Sequence, residues 1–408
     1  MPLELLDALD ESAPEGQKDF LWTLNFGPQH PATHTTLRLI LTIEGERVVR
    51  AVPDIGYLHS GFEKLGEDLD YNQYVTIVDR MNYISPIANE VAWFQAVEKL
   101  LGITPTKRCQ YLRVIFSELA RISDHLLCCG AAALDLGAFT SFLYAFYQRE
   151  KIYDIYETAS GQRFHPSFLR VGGLMADVTD DFIRQVREFV RGFPKAHGDI
   201  VRLLNRNRIF VDRTKGIGVL SKDDAINLSC TGPIARASGV VRDVRKDEPY
   251  LAYPDFDFKV ICSTAGDCYA RYLVRMEEML ESLKIIHQAI ENLPSGPVNV
   301  DVEGKAVMPD KTATYRTIEG LIQHFELIMT NRQWTPPLEE VYGCIESPNG
   351  ELGFYVVSDG TGRPYRCRTR PPSFIHFATF PYLIEGHMVS DVVAVLGSLN
   401  IIAAELDR

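Results

Sequence analysis

The sequence lacks the cysteine spacing of a metal-binding protein. Its eight cysteines include no Cys-x-x-Cys pair: Cys128 and Cys129 are adjacent, and Cys262 and Cys268 fit no standard zinc or iron–sulfur pattern. Scattered thiols of this kind are typical of a reducing compartment. We therefore expect no metal site and no other cofactor held by this chain alone.

An excess of positive charge is also missing. The chain has 42 Lys and Arg against 54 Asp and Glu, a net charge of −12. Nucleic acid is excluded as a partner, because binding to phosphates needs a positive surface. No secretory signal peptide is recognisable, since acidic residues are spread over the first 19 positions. We expect residues 1–19 to form an acidic, flexible tail.

No hydrophobic run of bilayer length is free of charge. Residues 126–147 come closest, with Asp135 as their single charge. In a membrane helix Asp135 would lie near the midplane, at a cost of roughly 2.5–3.5 kcal/mol. Two glycines and a Thr-Ser pair further weaken a membrane interpretation. The run instead predicts two buried helices that meet near residues 135–137.

The pattern along the chain predicts an α+β fold, with a mainly helical bundle core and flanking antiparallel β structure. Alternating residues predict strands at 20–26, 36–43 and 46–52, and turn pairs divide further strands within 340–370. Helical periodicity covers 87–101, a long helix from Thr104-Pro105 to about 135, then 139–158, 180–193, 267–293 and 317–329. No repeat or linker divides the chain, so residues 20–408 are interpreted as one domain, β-rich at 20–55 and 340–385 and helical at 86–330.

A loop with two histidines follows the first strand. Pro28 and Pro31 exclude a helix from Gly27 to Pro31, so the loop is expected to be stiff and to present His30 and His34 in fixed directions. Such a loop suits a ligand that needs a hydrogen-bond donor or a proton at one point. A structural turn with two surface histidines is the alternative.

Other polar groups have both functional and structural interpretations. Asp135 is either a proton-handling group or a helix-capping carboxylate. Tyr83, after Asp79-Arg80-Met81-Asn82, is either a proton donor to a carbonyl oxygen or a packing residue. Structural ion pairing is favoured for Arg121 and His125. The alternating Arg366, Arg368 and Arg370 form a solvated strand face or a docking strip for an acidic partner.

Several motifs together resemble the 49-kDa subunit family of respiratory complex I, the D subunit of proton-pumping NADH:quinone oxidoreductase. They are Gly-Pro-Gln-His-Pro-Ala-Thr-His at 27–34, Gly-Tyr-Leu-His-Ser-Gly-Phe-Glu-Lys at 56–64, Arg-Met-Asn-Tyr at 80–83, Leu-Asp-Leu-Gly-Ala at 134–138, Gly-Gln-Arg-Phe-His at 161–165, Arg-Met-Glu-Glu-Met at 275–279 and Gly-Glu-Leu-Gly-Phe-Tyr-Val-Val-Ser-Asp-Gly at 350–360. They follow the family's order from about residue 22 to the end of the sequence.

That family is similar in fold to the large subunit of nickel–iron hydrogenases, which hold their metal with two Cys-x-x-Cys pairs. Here the corresponding stretches read Leu-His-Ser-Gly at 58–61 and Ser-Asp-Val-Val-Ala-Val at 390–395, without cysteine. A nickel site would have no thiolate ligands. The resemblance implies that the former metal cavity holds the head group of a quinone.

The resemblance also implies roles for individual residues. His34 and Tyr83 would hydrogen-bond the quinone carbonyls, and Asp135 would pair with His34 and take part in coupling. Arg80 and His165 would lie near a [4Fe–4S] cluster held by the partner subunit. The implied partners are the B subunit, which holds that iron–sulfur cluster, the C subunit and the H subunit in the membrane. Peripheral attachment to the cytoplasmic side of a bacterial inner membrane follows.

The implied function is quinone reduction by electrons from NADH, coupled to proton pumping within a multisubunit complex. Two alternatives stay open: a non-catalytic scaffold subunit of the same complex, or the equivalent subunit of a related ferredoxin- or hydrogenase-linked membrane complex. The sequence departs from the family pattern at Thr35, where glycine is usual, at Ala270, where aspartate is common, and around Asn400. These departures bear on local contacts and on the C-terminal segment.

Overall fold

The structure is a computed structural model that describes residues 20–34, 36–300, 309, 311–329 and 335–408. The expected tail at 1–19 and the departure at Thr35 lie outside the described residues. The α+β class is confirmed, because two three-stranded antiparallel sheets flank a set of long helices. The assignment of 20–408 to one domain remains a prediction.

The first sheet has the order β1–β2–β3, with strands Leu21–Phe26, Arg38–Glu44 and Arg47–Asp54. Leu39 and Leu41 point to the buried face, and Gly45 turns β2 into β3 with φ +61°. The predicted hairpin is confirmed to within two residues. A short pair follows much later, β4 (Leu169–Arg170) and β5 (Gly173–Leu174).

The second large sheet is also a meander, β6 (Glu340–Glu346), β7 (Glu351–Ser358) and β8 (Pro364–Arg370). The strands end at Arg370, earlier than the β-rich stretch expected to run to 385. The residues that follow are helical, because Pro371 and Pro372 end the sheet pairing and Pro372 takes the first position of a helix.

The helices, numbered in chain order, are α1 (Phe62–Asp68), α2 (Val75–Val78), α3 (Pro86–Leu101), α4 (Lys107–Asp135), α5 (Phe139–Ser160), α6 (Asp180–Asn205), α7 (Arg208–Asp212), α8 (Lys222–Asn227), α9 (Gly232–Ala237), α10 (Val244–Asp247), α11 (Cys268–Glu291), α12 (Lys311–Arg316), α13 (Ile318–Ile328), α14 (Pro372–Ala378), α15 (Phe380–Ile384), α16 (Asp391–Leu399) and α17 (Ala403–Asp407). The two buried helices predicted to meet near 135–137 are α4 and α5. None of the described helices combines the length and the apolar character needed to cross a membrane.

Two helix ends differ from the sequence predictions. α4 begins after Thr106, whose hydroxyl accepts the Cys109 N–H at 3.2 Å, so the prediction of Thr104 as its N-cap was wrong. α6 continues to Asn205 through Pro194, although residue 193 was its expected end. Proline removes one helical hydrogen bond, but Phe193, His197 and Ile200 continue the buried face, and this packing outweighs the loss.

The apolar interior consists of two main clusters. The larger one lies among α3, α4, α5, α6, α11 and the second sheet. The smaller one joins the first sheet to the C-terminal helices: Leu39 and Leu41 pack with side chains that include Val395, Leu399 and Leu406. Ala270 belongs to a third, minor cluster with Ala237 and Val274, where an aspartate carboxylate would face apolar neighbours.

Candidate functional site

The loop between β1 and β2 is held by its own hydrogen bonds. A single 3₁₀ turn, Pro31–Thr33, follows His30, whose Nδ1 accepts the Ala32 N–H at 3.2 Å. The Thr33 hydroxyl donates to the His30 carbonyl oxygen at 2.8 Å, and His34 closes the turn with φ +59°. The loop is thus ordered, as expected, but its helical turn begins at Pro31, within the span that was predicted to be non-helical.

His34 pairs with Asp135. The Nε2 of His34 and a carboxylate oxygen of Asp135 form a hydrogen-bonded ion pair at the last residue of α4, and their side chains are 31% and 14% exposed. Burial by itself would lower the pKa of His34, but the hydrogen bond and the charge of Asp135 outweigh it and raise this pKa. The pair therefore presents an imidazole that keeps its proton more readily than a free histidine does.

Gly397 of α16 leaves space for this pair. A β-carbon at Gly397 would lie 3.7 Å from the Cε1 of His34 and 3.4 Å from the β-carbon of Ala132. The Cys128 thiol, two turns before Asp135 on α4, lies 3.6 Å from the Gly397 carbonyl oxygen. The seam between α4 and α16 therefore ends at the histidine loop.

Tyr83 lies in the turn that connects α2 to α3. The Asn82 Oδ1 accepts the backbone N–H groups of Ile84 and Ser85 at 3.2 and 3.3 Å, and the Asn89 amide donates to the Asn82 carbonyl oxygen at 3.1 Å. Tyr83 itself is half-buried and packs on the larger apolar cluster. Its direction is thus set by buried hydrogen bonds on both sides.

Arg80 and His165 lie close enough to interact electrostatically. Burial, and then the charge of Arg80, lower the pKa of His165. The intervening Asp79 accepts hydrogen bonds from the Ser167 N–H and hydroxyl, both at 2.8 Å, which fixes the 165–167 segment to the start of this turn. Arg80 is exposed and hydrogen-bonds the Thr76 carbonyl.

Sequence reasoning missed a clamp made by Asp407. Its two carboxylate oxygens accept the N–H groups of Gly56 and Leu58 at 2.9 and 2.7 Å, and its carbonyl oxygen lies 2.9 Å from the Nδ1 of His59. Beside it lies a cavity of about 370 Å³, lined among others by His59, Phe374 and Asp407. The carboxylate near the end of the sequence was the available signal, but only the fold brings it to the motif at 56–64.

Other charged groups are explained by internal pairing. Arg121 contacts Glu118 at 3.2 Å and His125 contacts Glu278 at 2.9 Å, so the expected structural ion pairing is confirmed. Burial lowers the pKa of His125 to about 4. On β8, Arg366 pairs with two glutamates of α1, Glu63 and Glu67. That arginine is therefore partly engaged within the chain.

All eight cysteines are free thiols, and Cys262 is the exposed one. Across the ranges that the structure describes, no group of three or more His, Cys, Asp or Glu side chains is arranged to hold a metal ion.

The family of the chain follows from comparison with known proteins. A family model described as respiratory-chain NADH dehydrogenase, 49 Kd subunit, matches residues 135–408. The chain belongs to this family. The match covers more than half of the sequence and begins at Asp135, and the motifs upstream of it are covered by individual relatives.

Two relatives are similar over almost their whole length. The D subunit of NADH-quinone oxidoreductase from Methylacidiphilum infernorum (isolate V4) is 47% identical over 396 residues, 97% of this chain and 93% of the relative. The second D subunit of NADH-quinone oxidoreductase from Sinorhizobium medicae (strain WSM419) is 48% identical over 399 residues, 97% and 98%. The chain is thus a subunit of the complex I type, a component of an oxidoreductase.

Proposed function

We propose that this chain forms the site of quinone reduction, together with an iron–sulfur partner subunit, in a proton-translocating NADH:quinone oxidoreductase. The observation that carries the proposal is the His34–Asp135 pair. It presents a histidine with a raised pKa, 31% exposed, on a loop held by its own hydrogen bonds. The relatives' names, which state NADH and quinone, supply the reaction.

The chemistry of the residues suits that reaction. Quinone reduction consumes two electrons and two protons, so each carbonyl oxygen needs a donor. In the proposal His34 donates at one carbonyl and the Tyr83 hydroxyl at the other. When His34 gives up its proton, the Asp135 carboxylate loses the cation that it contacts, and this local charge change is the proposed start of coupling to proton transfer.

The electrons come from outside the chain in this proposal. Arg80 and His165 would face a [4Fe–4S] cluster held by the B subunit, with the C subunit and the H subunit of the membrane as further neighbours. A positive guanidinium near a cluster favours its reduced state. We place the complex at the cytoplasmic side of a bacterial inner membrane, with this chain attached peripherally.

Two variants test the proposal in the assembled complex, Tyr83→Phe and His34→Ala. Loss of a positioned proton donor should slow quinone reduction by about 10²–10⁴-fold, while NADH oxidation with an artificial acceptor stays unchanged. The matched controls are Tyr365→Phe and His287→Ala, which change exposed side chains elsewhere. Normal quinone turnover of both site variants in assembled complex would favour the scaffold role instead.

A related ferredoxin- or hydrogenase-linked complex is distinguished by its electron donor. Identification of the electron-input subunits in the purified complex should find an NADH-oxidising flavoprotein. Its replacement by a ferredoxin- or hydrogen-oxidising subunit would contradict the NADH part of the proposal and leave the quinone site untouched.

A further inference from the structure

Two buried carboxylates lie where the end of the chain meets the long helix α4. Asp124 on α4 and Glu405 on α17 have no solvent exposure. One oxygen of each is hydrogen-bonded, whereas the Oδ2 of Asp124 and the Oε1 of Glu405 have no hydrogen-bond partner in the described chain. Buried carboxylate oxygens without donors are the mark of a protonated or proton-sharing group.

Two amide side chains bridge the carboxylates. The Asn400 Nδ2 donates to Asp124 Oδ1 and to Asn349 Oδ1, both at 2.6 Å. Asn349 in turn donates to the Asn400 carbonyl oxygen at 3.2 Å and hydrogen-bonds Glu405. Asn400 caps α16 with φ +55°, a conformation that asparagine tolerates. This departure from the family pattern therefore supplies a neutral bridge instead of a third carboxylate.

The charges around the pair differ at its two ends. Neither carboxylate has a salt bridge to a described Lys, Arg or His within 4 Å. Asp124 lies in the field of three guanidinium groups, Arg121 of its own helix, Arg149 of α5 and Arg275 of α11. Glu405 faces Asp124 and the neutral Ser373 and Asn349. The proton is therefore held at the Glu405 end.

We propose that Asp124 and Glu405, joined through Asn400 and Asn349, form a buried site that binds one proton and thereby holds α17 in place. α17 also carries Asp407, which accepts the N–H groups of Gly56 and Leu58. The bound proton thus secures the loop at 56–59 and one wall of the cavity beside it. The inference does not depend on the proposed quinone chemistry.

The direction of the pH effect follows from linkage. Burial raises the pKa of Glu405 to about 8 and that of Asp124 to about 6, whereas the ordinary pKa of a glutamate is 4.5. Opening of α17 exposes Glu405, which then releases its proton at any pH above 4.5. Between about pH 5 and 8, opening releases a proton, so each pH unit favours it by up to about tenfold; above 8 the effect levels off.

Hydrogen exchange of the intact purified complex tests the site. After correction for intrinsic exchange rates, we expect the protection of residues 56–59 and 403–407 to fall from about pH 5 to about pH 8 and then to level off. Glu405→Gln should abolish this fall and keep protection high at pH 8. The control Glu188→Gln changes an exposed glutamate of α6 and should behave like the unmodified chain.

A second variant decides the matter if Glu405→Gln does not assemble. Asp124→Asn removes the charge that opposes ionisation of Glu405, so the levelling should move to lower pH. The same fall in Glu405→Gln as in the unmodified chain would overturn the proposal. Constant protection in the unmodified chain, or an unchanged levelling pH in Asp124→Asn, would do so equally.

Discussion

His34 and Asp135 are 101 residues apart in the sequence and form a hydrogen-bonded ion pair. One comes from a loop between two strands and the other ends the longest helix. The pair therefore joins the first sheet to the helical core. A change of charge on either partner acts at a point where two structural units meet.

Replacing Asp135 by asparagine should change the pH profile of quinone reduction. Asp135→Asn removes the hydrogen bond and charge that raise the pKa of His34, so burial dominates and this pKa falls. Activity that needs protonated His34 should be lost at lower pH than in the unmodified complex, with assembly retained. Quinone reductase rates across pH, per assembled complex, measure this, and Asp212→Asn is an exposed control. Poor assembly with a normal profile would show a purely structural aspartate.

The buried pair of Arg113 and Glu98 should determine stability and leave catalysis unaffected. The two guanidinium contacts to the Glu98 carboxylate measure 2.7 and 2.8 Å, and the Gly172 N–H also donates to it. Glu98→Ala leaves a buried guanidinium unpaired, which costs about 3–5 kcal/mol. We expect a lower amount of assembled complex with unchanged turnover per complex. Glu188→Ala, in an exposed pair with Arg184, should change neither quantity.

Gly343 is required where β6 packs on α3. A β-carbon there would lie 2.8 Å from the Ala96 Cα, a backbone atom that cannot rotate away. Gly343→Ala should therefore destabilise the chain by about 1–3 kcal/mol. Gly192→Ala is the matched control, since nothing lies within 4 Å of a β-carbon there. In the middle of α6 it should be neutral or stabilising by about 0.5–1 kcal/mol. Thermal denaturation midpoints compare the two; equal midpoints would contradict the clash.

Acid should weaken the chain through Glu118. Burial alone would raise the pKa of Glu118, but the guanidinium groups of Arg121 and Arg245 lower it to about 2. A carboxyl whose folded pKa is depressed stabilises above its unfolded pKa of 4.5, and this stabilisation is lost as pH falls to about 2. The free energy of unfolding should fall with acid over that window, and Glu118→Gln should make the slope shallower. An identical slope in the variant would rule out this assignment.

The parts of the fold that follow local rules could be predicted from the sequence. The first hairpin was predictable because Leu37, Leu39 and Leu41 alternate, and α11 because Asp267 precedes a helical periodicity and accepts the Ala270 N–H. The short helices α7–α10 and α14–α17 were missed, since segments of four to nine residues carry too little periodicity. The end of α6 was missed because tertiary packing overrides Pro194.

The candidate site was predictable only in part. Residues alone led to a histidine loop and a buried aspartate, and the resemblance supplied their pairing, which the geometry reproduces. The Asp407 clamp and the Asp124–Asn400–Glu405 connection depend on contacts between residues up to 351 positions apart, which no local pattern encodes. The roles of His34, Tyr83, Asp135, Arg80 and His165 in quinone chemistry stay predictions.

The smaller apolar cluster has a consequence for synthesis on the ribosome. Leu39 and Leu41 emerge early, whereas their partners on α16 and α17 are translated hundreds of residues later. Until then the first sheet has an uncovered apolar face, which favours chaperone binding or aggregation. We expect His34 and Gly397 to meet only late in folding, so that the site is completed after the helical core has formed.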